Sequence, residues 1–484
     1  MAKIKKILIA NRGEIALRII RACKELDIIS AVVYSTVDAK GVWVRKADEA
    51  YVMDGDPIQA YLNYERIIAL AKEIGVDAIH PGYGFLSESA EFAQYCEDNG
   101  IIFIGPKPEH IALFGDKMAS KVAMQEVGVP VIGGSEDPIT DINVAKQIAT
   151  DIGFPVIIKA AFGGGGRGMR IVTKEEEFEE MFEAATNEAI KFFGKGDAFV
   201  EKYIKNPRHI EVQIVADKFG NVVHLGDRDC SIQRRHQKVI EIAPSPLLSE
   251  AVRKELYRVS TKAMFRLGYE SVGTIEFLVD EDDNFFFIEM NTRVQVEHPV
   301  TEIISGIDII QRMIQIAEGD KLMFMQDEIR TRGYAIEFRI NAEDPRKGFQ
   351  PSPGKITTYL APGGPGVRID SAAYKDYVIP GNYDSMVGKL IVWALDWPGV
   401  VNKARRALDE FIVGGIPTNI PLHRKIVRDL DFIEGKFTTT YLDTKLDDML
   451  EDMVFDTEYK EDGVDDEEAA RVAAIVGAMN YMRS

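Results

Sequence analysis

The sequence predicts an α/β and α+β protein built from more than one domain, on three observations. Over residues 1–114 short apolar runs alternate with helical patterns; a glycine-rich loop from Gly163 to Gly168 separates two strand-like runs; and beyond residue 204 strand-like runs dominate. Alternating strands and helices imply a parallel, doubly wound sheet, whereas successive strands imply an antiparallel one. At 484 residues the chain also exceeds what one hydrophobic core supports, roughly 250–300 residues.

In the first unit, Lys5 to Ala10 is expected to form a strand and Gly13 to Leu26 a helix, with Ile15, Ile19, Ile20 and Cys23 on one face and Asn11 as a candidate N-cap. Further strands are expected at Ile29 to Tyr34, Ala78 to His80 and Ile101 to Ile104. The first turn, NRGE, lacks the glycine fingerprint of a dinucleotide site. Residues 115–203 form a second unit. A helical pattern from Asp116 to Val129 ends at Gly128 and Pro130, and then come a helix near Ile142 to Ile152, strands at Val156 to Ala160 and Met169 to Thr173, a helix from Lys174 to Lys191 and a strand at Ala198 to Lys202. Residues 204–446 form a large α+β unit, and 447–484 an acidic extension.

Composition narrows the function. With 58 basic and 77 acidic residues the formal charge is -19, which argues against a general nucleic-acid binder. Between Asp447 and Glu468 there are 12 acidic residues and one lysine. In the same extension Ala469, Val472, Ala473, Val476 and Met479 recur at helical spacing. No apolar run approaches the roughly 20 residues that span a bilayer, and the basic start leads into a strand with no cleavage site, so a cytoplasmic protein is expected. Cys23, Cys96 and Cys230 are widely spaced, as suits reduced thiols.

Four segments carry candidate chemistry. Gly163, Gly164, Gly165, Gly166 and Gly168 allow backbone N–H groups to approach a polyphosphate; a mobile hairpin without ligand is the alternative. Lys159, in the apolar strand VIIKA, is costly if buried unpaired and suits an anionic ligand, or else it is an edge lysine whose head reaches water. A symmetric hairpin from Gly273 to Asn291 pairs Asp280 with Phe285 and so sets Glu276 opposite Glu289. Two carboxylates in that relation need a cation or proton between them, and without Cys or His nearby Mg²⁺ or Mn²⁺ is indicated. Asn291 is expected on the same side. In the run QRRHQK, an extended chain places Arg234, His236 and Lys238 on one side, fit for an anion or for a solvated basic strand. In NTRVQVEHP, Arg293 and Glu297 share a face of an extended chain, where they either hold and deprotonate a small oxyacid or form a structural pair.

These segments, together with ANRGEIALRIIRACKEL, IHPGYGFLSE, FIGPK, EKYIKNPRHIEVQ, RDCSIQRRHQKVIE, FIEMNTRVQVEHPVTE, EFRINAEDP, PSPGKI and NYDSM, occur in an order that resembles the biotin carboxylase subunit or domain of acyl-CoA and pyruvate carboxylases, from about Lys5 to Leu446. The resemblance implies an ATP-grasp fold with an N-terminal Rossmann-like domain, a lid and a large C-terminal domain. It implies that Lys117, Lys159, His209, Gln233 and His236 contact ATP, that Glu201, Lys202 and Ile204 line the adenine pocket, and that Glu276 and Glu289 bind magnesium with Asn291 nearby. Lys238, Arg293, Gln295 and the Val296 backbone would bind bicarbonate, with Glu297 as base and Arg339 stabilising the biotin enolate. The implied reaction passes through carboxyphosphate. The sequence has no Ala-Met-Lys-Met biotinylation motif, so biotin is expected on a separate carrier protein or a biotinylated carboxyltransferase subunit, with this chain as a homodimer. Another ATP-grasp ligase, or a catalytically silent assembly subunit, are the competing readings.

Overall fold

The computed structural model describes residues 3–135, 137–160, 169–193, 196–451 and 453. The first unit is a parallel sheet of β1 (Lys6–Ile9), β2 (Ile29–Tyr34), β3 (Glu49–Val52), β4 (Ala78–His80) and β5 (Ile102–Phe103), in the order β3-β2-β1-β4-β5. The order reverses between β1 and β4, where a doubly wound sheet opens its crevice. The segments that follow β1 and β4 carry Glu14, Tyr83 and Glu88 there. In the helix Gly13–Glu25 the residues Ile15, Ile19, Ile20 and Cys23 are buried, as their spacing predicts. The expected N-cap is corrected. Arg12 occupies that position, while Asn11 is buried and ties the two crevice segments together, donating to the carbonyls of Pro81 at 2.6 Å and Tyr83 at 2.8 Å. The edge strand β3, with only alternate residues half-buried, gives no clear apolar run to detect.

The second unit holds β6 (Val156–Ala160), β7 (Met169–Val172) and β8 (Ala198–Lys202) in the order β7-β6-β8, packed on the helices Ile142–Ile152 and Phe178–Phe193. The latter helix does not begin at Lys174; a 3₁₀ turn, Glu175–Glu177, precedes it. Gly163, Gly164, Gly165, Gly166 and Gly168 lie outside the described residues.

The third unit is an eight-stranded antiparallel sheet. Its strands include β9 (Arg208–Ala216), β10 (Val222–Arg234), β11 (Gln237–Ala243), β12 (Ser271–Val279), β13 (Phe285–Asn291) and β14 (Tyr334–Asn341). Three small ladders follow in sequence: β15 (Glu343–Asp344) with β16 (Gln350–Pro351), β17 (Gly354–Lys355) with β20 (Val378–Ile379), and β18 (Thr358–Leu360) with β22 (Ile412–Gly414). The remaining strands β19 (Val367–Ser371) and β21 (Met386–Ala394) complete the order β13-β12-β9-β10-β11-β14-β21-β19.

Period-2 alternation divides this sheet into two different faces. Ile210, Val212, Ile214, Ile275 and Phe277 face an apolar core that includes Leu256 and Ala263 of the helix Glu250–Arg266; Phe338, Leu390 and Val392 face a second. The intervening residues, Glu211, Gln213, Glu276, Glu337, Arg339 and Lys389, form the other face. Against it packs the helix His298–Ser305, through Val300 and Ile304 on Ala243, Ala335 and Ile391. The expected start of the acidic extension is also corrected. Residues 447–450 complete the helix Tyr441–Leu450, and Met449 and Met453 are buried in the C-terminal core, because the apolar stripe of that helix continues past Leu446. The rest of the extension, with its candidate amphipathic helix, lies outside the described residues. Among the described residues no helix is long and apolar enough to cross a membrane.

Burial leaves an acid-sensitive element in this fold. His80, fully buried at the end of β4, accepts the Gly82 N–H on Nδ1 at 3.0 Å, and burial, reinforced by Arg18, pushes its pKa down to about 3. The unfolded chain therefore takes this proton first. The contribution is intact above about pH 6.5 and is lost towards pH 3, by about 1.4 kcal/mol for each pH unit. Tm is expected to fall as pH drops from 7 to 5, and His80→Asn, which retains an acceptor for Gly82, is expected to flatten that slope. An unchanged slope in the variant would assign the acid sensitivity elsewhere.

Candidate active site

Glu276 and Glu289 are direct partners on β12 and β13, as the hairpin pattern predicts, but the turn differs. Near the turn Val279, not Asp280, pairs with Phe285, because Asp280 is taken up in a wider turn, its Oδ1 accepting the N–H groups of Asp282 at 3.0 Å and Asn284 at 2.8 Å. A bulge at Ile288, between the Phe277–Phe287 and Glu276–Glu289 pairs, restores the glutamate register. Directly opposed side chains have Cβ atoms roughly 4.5–5.5 Å apart. Burial and then the Glu276 charge raise the Glu289 carboxyl above its usual range, so the pair calls for a cation or a proton.

Glu276 continues a row across the sheet, opposite Glu211 of β9, which is itself opposite Arg228 of β10. Lys238 enters this row from β11. Its Nζ bonds Glu211 and stands 2.9 Å from Glu276 Oε1 and 2.8 Å from Glu297 Oε1. Burial opposes the lysine charge, but the three carboxylates outweigh it and hold its pKa well above the ordinary value. Lys238 and His209 likewise outweigh burial at Glu276 and hold its carboxyl well below the carboxylate range. The expectation that no His lies near the glutamate pair is corrected, because β9 runs beside β12: His209 Nε2 lies 2.7 Å from Glu276 Oε2, and Gln233 meets His209 Nδ1 at 2.8 Å. Ligand atoms of His209, Glu211 and Glu276 fall within 4.8 Å of one another, a cluster able to hold a metal ion.

The extended arrangement expected for the basic run is corrected. Arg235 and His236 both have positive φ, 50° and 64°, and form the two-residue turn of the β10–β11 hairpin. Arg234 and Gln237 pair across it, Arg234 lies over the Phe349 ring, and His236 is exposed at the tip. Gln233 pairs directly with Lys238, and that contact brings the ATP candidate and the hub lysine to one face.

Beyond β13 the chain is irregular, so Arg293 and Glu297 do not share an extended face. Arg293 Nε is 3.0 Å from Glu88 of the N-terminal unit, and its Nη2 donates to Asn291 Oδ1 at 2.8 Å. Asn291 turns its amide nitrogen, not its oxygen, towards Glu276, at 2.8 Å. Gln295 also donates to Glu276 at 2.8 Å while its oxygen accepts from Arg228. Glu297 is the N-cap residue of the helix His298–Ser305 and is buried. Arg339 Nη2 reaches Glu297 Oε2 at 3.0 Å and its Nε reaches Glu241 at 2.5 Å. Against burial, Lys238, Arg339 and Arg228 hold Glu297 below the carboxylate range. Burial and Glu297 push Glu241 up to about 7, although Arg339 opposes them.

In the second unit, Lys159 is not buried unpaired: it forms an ion pair with Glu201, opposite Ile157 on the neighbouring strand, and its side chain is 39% exposed. Lys202 donates to the carbonyls of Gly153 at 2.8 Å and Phe154 at 3.1 Å, and Ile204 is half-buried just beyond β8. Lys117 is the first residue of the helix Lys117–Glu126, capped by Asp116. Sequence reasoning does not single out Glu211, Arg228, Glu241, Glu337 and Lys389. Their signal is an ionisable residue at alternate positions of an apolar strand, as in IEVQIV and AIEFRI.

Comparison with known proteins places the chain in a family. Residues 3–111 match the family described as biotin carboxylase, N-terminal domain; 116–325 match the carbamoyl-phosphate synthase L chain, ATP binding domain; and 337–444 match the biotin carboxylase C-terminal domain. The chain is 54% identical over 439 residues to the 2-oxoglutarate carboxylase small subunit of Hydrogenobacter thermophilus, covering 91% of this chain and 93% of that one. It is 51% identical over 444 residues to the biotin carboxylase of Pseudomonas aeruginosa, covering 91% of this chain and 98% of the relative. The crystal structure of the biotin carboxylase domain dimer of the Hydrogenobacter thermophilus enzyme, in complex with MgADP, ADP and bicarbonate, superposes with a TM-score of 0.86 at 52% identity, covering 93% of this chain and 99% of that one. The eight-stranded sheet with its lid is thus an ATP-grasp fold, and the chain belongs to the biotin carboxylase family.

Proposed function

We propose that this chain is the biotin carboxylase component of a multi-subunit carboxylase, an ADP-forming ligase that uses MgATP and bicarbonate to carboxylate biotin on a separate carrier. One observation carries this reading. On one face of the sheet, a carboxylate pair that calls for a cation or a proton adjoins an ionised glutamate held between Lys238 and Arg339.

Glu276 and Glu289 fit a hard divalent cation by charge, oxygen chemistry and opposition across the hairpin. When bound there, Mg²⁺ or Mn²⁺ would neutralise phosphate charge. Lys117, Lys159, His209, Gln233 and His236, with the glycine flap, would hold the nucleotide, and Glu201, Lys202 and Ile204 its adenine. Lys238, Arg293, Gln295 and the Val296 backbone would hold bicarbonate. Glu297, ionised in this site, would remove its proton as the oxyanion attacks the γ-phosphorus, giving carboxyphosphate and ADP. A substrate anion that draws Lys238 away from Glu297 raises the basicity of that carboxylate. Carboxyphosphate then yields CO₂ and phosphate; phosphate takes the biotin ureido proton, and Arg339 stabilises the enolate that captures CO₂. Water would destroy the intermediate, so the lid must close over it.

Replacing Glu276 or Glu289 with Gln is expected to raise the Mg²⁺ concentration needed for half-maximal rate and to depress turnover. Unchanged magnesium dependence in both variants would remove the metal assignment. The two halves of the reaction should also separate by residue. Glu297→Gln is expected to abolish bicarbonate-dependent ATP cleavage, by about 10²-fold or more, whereas Arg339→Ala is expected to slow biotin carboxylation much more than ATP cleavage. Equal loss of both in Arg339→Ala would contradict that division.

The chain is also proposed to act as a cytoplasmic homodimer, with the residues after Met453 docking the carrier or carboxyltransferase subunit. Tethering of that kind raises the effective concentration of the carrier. Because Met449 and Met453 are buried, the informative truncation ends after Met453. It should keep free-biotin activity and lose co-purification and carrier-dependent rate; survival of both would assign the extension no docking role.

A further inference from the structure

Lys389 is a fully buried cation that the chemistry above leaves unused. It stands on β21 directly opposite Arg339 of β14, so both side chains leave the same face of the sheet. Its Nζ donates to the carbonyl oxygen of Val296 at 2.8 Å and lies 3.0 Å from Glu14 Oε1, and Glu14 also accepts the hydroxyl of Tyr83. Burial opposes the ammonium charge, but Glu14, Glu337 and Asp370 outweigh it and raise the pKa above the ordinary lysine value. Taking an ammonium out of water costs several kcal/mol even after relaxation, and an apolar side chain of similar volume avoids that cost. Packing alone therefore does not explain a lysine here.

Peptide geometry does. Val296 has a peptide unit on each side, and the carbonyl of each is held. Gln295 O meets His298 Nδ1 at 2.7 Å and accepts the His298 N–H at 3.3 Å; Val296 O accepts Lys389. In a planar trans peptide the N–H points opposite to the carbonyl. The N–H groups of Val296 and Glu297 are consequently turned away from His298 and Lys389. Two successive N–H groups fixed in this way, where the helix His298–Ser305 begins, suit a small oxyanion. The same peptide also sets the direction in which Glu297 leaves the backbone.

We propose that Lys389 is a positioning residue that fixes the Val296–Glu297 peptide, and through it the Glu297 N–H offered to bicarbonate, beside the Val296 N–H held through His298, and the orientation of Glu297. The proposal rests on the assignment of Gln295 to Glu297 as the bicarbonate site. It makes the N-terminal unit part of that site, since Glu14 and Tyr83 complete the far side of the bridge.

In the full-length enzyme, Lys389→Met is expected to raise the KM for bicarbonate about tenfold or more while changing that for MgATP by less than about twofold, since misplacement by about 1 Å costs up to about 10²-fold. Lys389→Arg keeps the charge and N–H donors and is expected to recover part of the loss. Where Lys389→Met fails to fold, Glu14→Gln serves, because it keeps an oxygen for Lys389 and Tyr83 but removes the charge; a smaller shift in the same direction is expected. Arg293→Ala is the control on the site. If it raises the bicarbonate KM and neither Lys389→Met nor Glu14→Gln does, the positioning role is wrong and the site assignment stands. A parallel rise of both KM values in Lys389→Met also overturns the role, as general loosening. No response in Arg293→Ala removes the site assignment and the role of Lys389 with it.

Discussion

The contact of Lys238 with Glu211, Glu276 and Glu297 is the interaction on which the rest of the site depends. Three carboxylates on β9, on β12 and at the start of a helix converge in a region where each is almost completely buried. Unpaired charges in such a place cost several kcal/mol each, and like charges brought together cost more. One ammonium placed among them, with Arg228 behind Glu211 and His209 beside Glu276, makes the convergence tolerable. The cation is thus a condition for the arrangement of the carboxylates as well as a member of it.

The sheet converts that requirement into geometry. Alternation along β9, β12, β14 and β21 sends every second residue to the charged face and its neighbours to apolar cores. A slip of one residue in any pairing would exchange the two faces, so burial on both sides specifies the register. The bulge at Ile288 and the turn at Arg235 and His236 are the local irregularities that aim Glu289 and Lys238. Placing Lys238, Glu276 and Arg339 on strands also makes them more rigid than a loop could.

Much of this is legible in the sequence because it follows from periodicity. The parallel sheet, the lid strands β6 and β8, and the opposition of Glu276 and Glu289 all follow from spacing of apolar residues or from hairpin symmetry. The expected glutamate pair survives a wrong turn only because the bulge compensates by one residue, which no local pattern reports. Where the expectation fails, it assumes an extended conformation. Arg235 and His236 adopt positive φ without a glycine to signal it, and Arg293 to Glu297 follow the strand as an irregular segment. The partners missed altogether, such as Glu211, Arg228 and Lys389, are distant in sequence from the groups they support. Their roles exist only once the strands are paired.

Four of the cations proposed to meet anionic substrates share a further property: each already has a carboxylate partner from the protein. Lys238 has Glu211, Glu276 and Glu297; Arg339 has Glu241 and Glu297; Arg293 has Glu88; and Lys159 has Glu201. Binding of a phosphate or bicarbonate is therefore an exchange of partners, and its free energy is a difference between two sets of ion pairs. Those differences are unequal. Lys159 and Glu88 are partly exposed, so their present pairs are screened and yield readily to a polyphosphate. The Lys238 and Arg339 pairs are buried, and breaking either strands a carboxylate unless another positive charge or a proton arrives. In the proposed reaction a divalent cation would meet that need at Glu276, and a proton taken from bicarbonate would meet it at Glu297. Nucleotide can thus enter by displacing weak pairs, whereas a divalent cation at Glu276 competes with buried ones, and in the proposed reaction loosening of the Arg339–Glu297 contact is tied to proton transfer. In that reaction the strongest pairs in the site would thereby make release of Arg339 conditional on the chemistry of the first half-reaction.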